Sequence, residues 1–254
     1  FVTAFNSKNT ILALDFDGVI VDSIKECLVS GYNAYANFND KTNIERFDQL
    51  DSDWANQARR MRNYIRNGED YVFIAHALAN GSAIKGQDDF DAFLAQNDKL
   101  RDTFFDHMVN QRISFSDAKP DIWAALNPLY KGMKTFLHNY ADKENLYIIT
   151  TKKLLFVHKI LAANDIHLIE KNIFDTAGGK SKRQIIEEIL HARQLSPNLF
   201  YFIDDQIDTL LKVKPSKVQV LLAEWGYNNE QQVSKTSAND IDILALQDFF
   251  QKFM

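Results

Sequence analysis

The chain has 254 residues, of which 46% are hydrophobic and 25% are charged. This composition is typical of a folded globular protein and excludes disordered and fibrous classes. The formal net charge is -5, and because the basic residues are scattered we expect neither a nucleic acid nor a membrane as partner. No apolar run approaches the ~20 residues of a membrane-spanning helix. The single cysteine, Cys27, cannot form an internal disulfide, so we expect a cytoplasmic protein.

Short apolar segments that end in polar side chains predict buried parallel strands. The first ends in an acid, and each of the next two also delivers polar side chains to its carboxyl end. In an open α/β sheet the ligand crevice lies outside these ends, so such side chains would face one site. The predicted strands are residues 10–15, 145–151, 199–205, 218–223 and 241–244.

Helical segments separate the later strands, at 153–164 and 182–194. Together with the strands they predict an α/β fold, a doubly wound, Rossmann-like parallel sheet. Strand signals are absent from 23–126, which instead reads as several amphipathic helices. We therefore predict an inserted all-helical cap domain at 23–126, between core segments 1–22 and 127–254, that closes over a substrate and excludes water.

Two acids stand two residues apart where the first strand ends, Asp15 and Asp17. One carboxylate at such a point can attack phosphorus while the other supplies and removes protons. A solvated turn and a calcium loop are the alternatives. A calcium loop needs more oxygen ligands than Val19, Ile20 and Val21 offer, so the catalytic interpretation is favoured.

A second acidic group, Asp204 and Asp205 with Asp208 close behind, ends the third predicted strand. If these acids meet Asp15 in one crevice, they form an oxygen-rich site suited to Mg²⁺. The alternative interpretation is a helix N-terminus whose dipole is stabilised by acids.

Other phosphate-binding groups follow the second strand and precede a later helix. Thr150 carries a hydroxyl that can donate to a phosphoryl oxygen, while Thr151 points to the opposite face of its strand. Lys180 and Lys182 precede a helix N-terminus, where cationic amines suit a phosphate. A structural threonine and solvated lysines are the alternative interpretations.

These segments together resemble the haloacid dehalogenase superfamily, particularly its phosphoglycolate-phosphatase-like branch. The first signature, Asp-Phe-Asp-Gly-Val-Ile-Val-Asp-Ser at 15–23, is the most specific part of the resemblance. It continues at 149–152 (Ile-Thr-Thr-Lys), 179–182 (Gly-Lys-Ser-Lys), 203–205 (Ile-Asp-Asp) and 223–227 (Ala-Glu-Trp-Gly-Tyr). The resemblance covers residues 10–23 and about 128–250.

The resemblance implies a nucleophile at Asp15 and a general acid and base at Asp17. It also implies a phosphate-binding Thr150 and a charge-neutralising Lys182, and it places a Mg²⁺ ligand at Asp205. The resemblance further implies Asp15 and Asp17 as metal ligands. The sequence departs from the family at two points: the usual Gly-Asp of the fourth motif is Asp-Asp here, which makes Asp204 or Asp208 an alternative ligand, and the loop that holds the lysine is short, which makes Lys180 the alternative active-site lysine. The predicted substrate contacts are Gly18, Thr151 and Lys180.

The predicted cap contains four arginines, Arg59, Arg60, Arg62 and Arg66, which we place in one helix. Arg62 and Arg66 would then be i, i+4 neighbours that bind a second anionic group of the substrate. A solvated basic face, balanced by nearby acids, is the alternative interpretation.

The function predicted from the sequence is Mg²⁺-dependent hydrolysis of a small phosphorylated metabolite by a monomer or homodimer. A dehalogenase would have no task for Asp17, since a departing halide needs no proton. A phosphonate-cleaving enzyme would lack that second acid. A sugar phosphomutase shares every core residue and remains the alternative, together with a catalytically silent binding protein on the same fold.

Overall fold

The computed structural model describes residues 9–254. They form two compact units. The core unit comprises the described residues up to Asp22 together with Leu129–Met254, and the helical unit comprises Ser23–Pro128. No helix between residues 9 and 254 is both long enough and apolar enough to cross a membrane.

The core unit contains one parallel six-stranded sheet, in the order β3-β2-β1-β4-β5-β6. This confirms the predicted doubly wound fold. One strand, the three-residue β3, was absent from the prediction. The strands are β1 (Ile11–Leu14), β2 (Leu146–Thr150), β3 (Ile173–Asp175), β4 (Phe200–Asp204), β5 (Gln219–Ala223) and β6 (Asp242–Leu244).

The strand order reverses between β1 and β4, which lie side by side at the centre of the sheet. Residues Leu14 and Ile203 are aligned in this pair, so the two strands end at the same level. In doubly wound folds ligands bind at this reversal, outside the carboxyl ends of the strands. The residues that directly follow Leu14 and Ile203 are therefore candidates for a ligand-binding site.

Helices of the core unit follow or precede the strands, as a parallel sheet requires. Helix α9 begins where the Ser181 side chain accepts a hydrogen bond from the Gln184 backbone N–H, and the Gln184 side chain accepts one from the Ser181 N–H. This capping box fixes the first helical residue at Lys182. The core helices are α7 (Met133–Asn139), α8 (Leu154–Ala163), α9 (Lys182–Arg193), α10 (Ile207–Val213), α11 (Glu230–Ala238) and α12 (Leu246–Phe253).

The helical unit is built around its first helix, which packs against the third and the fifth. A Cβ on Gly31 would lie 2.7 Å from the Cβ of Tyr71, so only glycine permits this approach of the first and third helices. The α-helices of this unit are α1 (Ile24–Phe38), α2 (Ser52–Met61), α3 (Asp70–Ala79), α4 (Gln87–Gln96), α5 (Arg101–Ala118) and α6 (Pro120–Ala125).

The prediction of one helix carrying all four arginines is wrong. Helix α2 ends at Met61, Arg62 begins a single 3₁₀ turn, and Ile65 is extended. The next two backbone N–H groups, including that of Arg66, donate to the Asp70 carboxylate at 2.9 Å rather than to helical carbonyls. Arg62 and Arg66 therefore do not share a helical face, because a local side chain competes for the backbone donors.

Candidate active site

Three buried carboxylates converge at the carboxyl ends of β1 and β4. Asp15 directly follows β1, Asp204 ends β4 and Asp205 follows it. The Asp15 backbone N–H donates to the carbonyl of Ile203 at 2.9 Å, which continues the strand pairing to this point. One oxygen of each acid lies within 4.8 Å of the other two. We call Asp15, Asp204 and Asp205 the carboxylate cluster.

A buried ammonium group bridges two members of this cluster. Lys182, the first residue of α9, places its Nζ 2.9 Å from Asp15 Oδ2 and 2.8 Å from Asp204 Oδ2. Lys180 instead points to the surface, where it pairs with Glu188 at 2.8 Å. Of the two lysines that the sequence nominated, the structure therefore brings Lys182 to the cluster.

The cluster strongly perturbs the ionisation of its members. Burial raises the pKa of the Asp15 carboxyl to about 8; Lys182 opposes this shift, while Asp204 and Asp205 reinforce it. Burial alone would lower the pKa of the Lys182 ammonium, but attraction to Asp15 and Asp204 outweighs burial and raises it. Burial, reinforced by the negative charge of Asp204 and Asp205, thus makes ionised Asp15 unfavourable despite the nearby Lys182 ammonium.

Asp205 is fixed by a tight arrangement of backbone groups around it. The Tyr227 N–H donates to Asp205 Oδ2 at 2.7 Å. A Cβ on Gly18, whose φ is +84°, would lie 2.3 Å from the same oxygen, and a Cβ on Gly226 would lie 2.2 Å from the Asp205 Cβ. Glycine is therefore required at both positions for the Asp205 side chain to keep its place.

The donor chemistry of the cluster fits a hard divalent cation. Asp204 Oδ1 accepts the Gln206 N–H at 2.8 Å while Oδ2 accepts Lys182, so this acid is held from two directions. All of the converging ligand atoms are carboxylate oxygens, which Mg²⁺ prefers over nitrogen or sulfur. A doubly charged cation would also balance the negative excess that Lys182 leaves.

The second strand contributes a hydroxyl and an ammonium to the same edge of the sheet. Thr150, at the end of β2, is buried, and its Oγ1 accepts the Lys152 backbone N–H at 3.1 Å, which leaves its O–H available to donate. Thr151 is exposed. The Lys152 Nζ lies 3.0 Å from Asp17 Oδ1 and 3.3 Å from Oδ2.

Three other nominated residues have different surroundings. Asp208 lies in the first turn of α10 and pairs with Lys235 at 2.9 Å. Arg62 is buried in the helical unit with its guanidinium 5.7 Å from the centre of the Tyr71 ring. Arg66, also in that unit, donates to Gln87 Oε1 at 2.8 Å.

Sequence reasoning assigned no role to Lys152, Gly226 or Tyr227, although all three lie in segments that carry the family resemblance. For Lys152 a signal was present: it stands two residues after Thr150, and alternation along an extended segment places both on one face. Thr150 and Lys152 are indeed both buried, and the residue between them is exposed.

Comparisons with known proteins agree with this architecture. No protein-family model and no curated protein matches the chain. Among solved structures, a haloacid dehalogenase-like hydrolase from Streptococcus pneumoniae is 17% identical with a TM-score of 0.60, over 96% of each chain. A protein provisionally named phosphoglycolate phosphatase from Lactobacillus delbrueckii is 13% identical with a TM-score of 0.63, over 98% of each chain.

A third solved structure is a haloacid dehalogenase superfamily hydrolase of subfamily IA from Geobacter sulfurreducens. It is 12% identical with a TM-score of 0.52, over 86% of this chain and 90% of that one. At such identities the likeness concerns the backbone. The chain therefore has the fold of the haloacid dehalogenase-like hydrolases, with its carboxylate cluster at the strand reversal of that fold.

Proposed function

We propose that this protein is a Mg²⁺-dependent phosphatase that hydrolyses a small phosphorylated metabolite through a covalent aspartyl-phosphate on Asp15. One observation carries the proposal: three buried carboxylates converge at the reversal point of a doubly wound sheet, where the buried Lys182 ammonium bridges two of them. Folding alone would not favour this imbalance, because buried charge without compensation is costly. A cation and an anionic substrate would together restore the balance.

In the first step an Asp15 carboxylate oxygen attacks phosphorus, the bond between phosphorus and the ester oxygen breaks, and Asp17 protonates the departing alcohol. In the second step water attacks the same phosphorus, Asp17 takes its proton, and the bond to Asp15 breaks to release inorganic phosphate. Thr150 donates its hydroxyl to a phosphoryl oxygen. Lys182 stabilises the negative charge of the transition state and holds Asp15 in place.

Asp15 and Asp205, with Asp204 and the backbone carbonyl of Asp17, would hold the metal. A bound Mg²⁺ supplies positive charge that reduces repulsion between an anionic nucleophile and an anionic substrate. The Asp15 carboxyl also needs this charge: with its pKa near 8 it is largely protonated at neutral pH and a poor nucleophile. We further propose that the helical unit acts as a cap that selects the substrate.

The test is a panel of phosphorylated metabolites assayed for phosphate release with and without Mg²⁺. We expect release from at least one compound, dependent on Mg²⁺ and lost in Asp15→Asn. Asp165→Asn is the matched control, since Asp165 is an exposed acid of the same unit with a positive φ of 58° that asparagine also tolerates. If no compound is hydrolysed and no Mg²⁺ binds, the proposal fails.

If trace bisphosphate activates the enzyme and the product is an isomer of the substrate, the reaction is that of a mutase and not hydrolysis. The two outcomes differ in whether inorganic phosphate accumulates. Tight binding of a phosphorylated compound without turnover, unchanged in Asp15→Asn, would indicate a binding protein.

A further inference from the structure

A second buried ammonium group, that of Lys152, contacts Asp17, the acid two residues after the proposed nucleophile. The proposed reaction steps do not use it. Lys152 Nζ contacts both oxygens of Asp17, at 3.0 and 3.3 Å. Only 1% of the Lys152 side chain is exposed, against 21% for the Asp17 side chain. The lysine is therefore inside the protein, and the carboxylate it contacts keeps access to the solvent side.

The position of Lys152 is determined by the end of β2. The Lys152 backbone N–H donates to Thr150 Oγ1 at 3.1 Å. Strand β2 pairs with β1, and Asp17 lies in the loop that follows β1. A buried lysine in this place is an expensive way to stabilise a loop, because desolvating an ammonium offsets much of its attraction to a carboxylate. This free-energy cost is explained if Lys152 orients Asp17 for catalysis.

We propose that Lys152 is a positioning residue that holds the Asp17 carboxylate in one orientation for proton transfer. This inference rests on the proposed function. An aspartate side chain has several staggered rotamers, and two hydrogen bonds from one ammonium select one of them. A proton donor must lie within hydrogen-bond reach of the departing oxygen, so this selection raises turnover. Lys152 acts through Asp17 and does not bind the substrate.

The test is a double-mutant cycle on the enzyme with its best substrate. Lys152→Met removes the ammonium and keeps the length of the side chain. We expect kcat to fall roughly 10- to 100-fold, as for a misplaced catalytic group, with KM changed less than about twofold. Asp17→Asn should lower kcat further, and the Asp17→Asn, Lys152→Met double variant should be no slower than Asp17→Asn alone. Lys152→Arg should recover part of the loss.

Two results would overturn the inference. If Lys152→Met raises KM and leaves kcat intact, the lysine binds substrate directly. If the losses of the two single variants multiply in the double variant, it acts independently of Asp17. Lys171→Met is the control and should leave kcat unchanged, because Lys171 is an exposed lysine of the same unit paired with Glu144 at 2.9 Å.

A stability cycle separates this inference from the proposed function. Asp17→Asn leaves the buried ammonium without that carboxylate, so Tm should fall by about 5 °C, and adding Lys152→Met should not lower it further. If the wild-type protein hydrolyses nothing, the proposed function fails. The Tm values of the variants still test whether Lys152 and Asp17 are energetically coupled. Additive losses of Tm would overturn the inference, and Lys152→Arg serves where Lys152→Met does not fold.

Discussion

Each of the two units buries a cluster of charged side chains, and the two clusters are built differently. In the helical unit Glu26 is fully buried. Arg112 donates to Glu26 Oε1 at 3.0 Å and to Oε2 at 3.1 Å, and Ser30 and Trp123 donate to Oε1 as well. One carboxylate thus meets one guanidinium, and both oxygens of the carboxylate are satisfied.

In the core unit, by contrast, three carboxylates converge, those of Asp15, Asp204 and Asp205, and the Lys182 ammonium bridges the first two. The Glu26–Arg112 pair needs no further charge, and removing either partner would leave an uncompensated buried charge. The carboxylate cluster is relieved either by a proton on Asp15 or by a bound cation. The difference teaches that these two clusters are both buried and differ in charge balance, and that the unbalanced one lies where a doubly wound sheet places its ligand site.

The largest effect should come from replacing Asp15, the proposed nucleophile. We expect Asp15→Asn to lower turnover roughly 10⁴-fold or more, because the amide cannot form the phosphoryl intermediate. Rapid acid quench with a ³²P-labelled substrate should trap phosphoprotein in the wild type and none in the variant. Substantial residual turnover in Asp15→Asn would assign the nucleophile elsewhere.

Removing the cation of the Glu26–Arg112 pair should instead lower the stability of the fold. Arg112→Met leaves Glu26 buried without its cation, and we expect a loss of about 3–5 kcal/mol in the free energy of unfolding. Adding Glu26→Gln should restore part of it, since the uncompensated charge is then gone. Urea denaturation monitors both variants. An Arg112→Met variant as stable as the wild type would refute a structural role for the pair.

An intermediate effect is expected at Gly226, whose backbone lies against Asp205, a proposed metal ligand. Gly226→Ala places a Cβ 2.2 Å from the Asp205 Cβ, so Asp205 must shift. We expect Mg²⁺ affinity to fall about 10- to 100-fold by calorimetry, the range for groups that orient ligands. Gly178→Ala, where a Cβ meets nothing within 4 Å, should bind Mg²⁺ as the wild type does. Equal affinities in both variants would remove Asp205 from the metal site.

The smallest effect concerns pH in the absence of metal. The pKa of Asp15 rises from 3.8 to about 8, so between these values the folded state keeps a proton that the unfolded state has released. The stabilisation of the folded state by the protonated Asp15 carboxyl is therefore fully present below pH 4 and is lost as pH rises toward 8. We expect Tm to fall as pH rises over that range, measured by thermal unfolding at a series of pH values.

Asp15→Asn should flatten this pH dependence, because the amide does not titrate. Mg²⁺ should flatten it too, because a cation favours ionised Asp15 and lowers its pKa. A slope unchanged in Asp15→Asn would mean that another group titrates in the range.

Much of this could be predicted from local sequence. Buried parallel strands read as apolar runs, so β1, β2 and β4 and the polar side chains at their ends were found directly. Strand β3 offers only two apolar residues, Ile173 and Phe174, and was missed, whereas the equally short β6 lies in a segment with three and was predicted. The single helix predicted through Arg62 failed because Asp70, eight residues later, takes the next backbone donors.

Pairings between distant residues had no local signal at all. Lys152 and Asp17 are 135 residues apart, and Arg112 and Glu26 are 86 apart. Nothing in either neighbourhood specifies the partner, because the contact arises only once the strands or helices are packed. The spacing from Thr150 could therefore indicate that Lys152 lies near the site, but not that Asp17 is its partner.

The strand order has a consequence for how the chain is made. Strand β1 lies at the centre of the sheet, yet its neighbours β2 and β4 begin at Leu146 and Phe200. A nascent chain must therefore carry β1 without sheet partners while the whole of Ser23–Pro128 is synthesised. The helical unit is continuous in sequence and can fold during that interval. The nucleophile would then be the first part of the site to be translated and among the last to be enclosed.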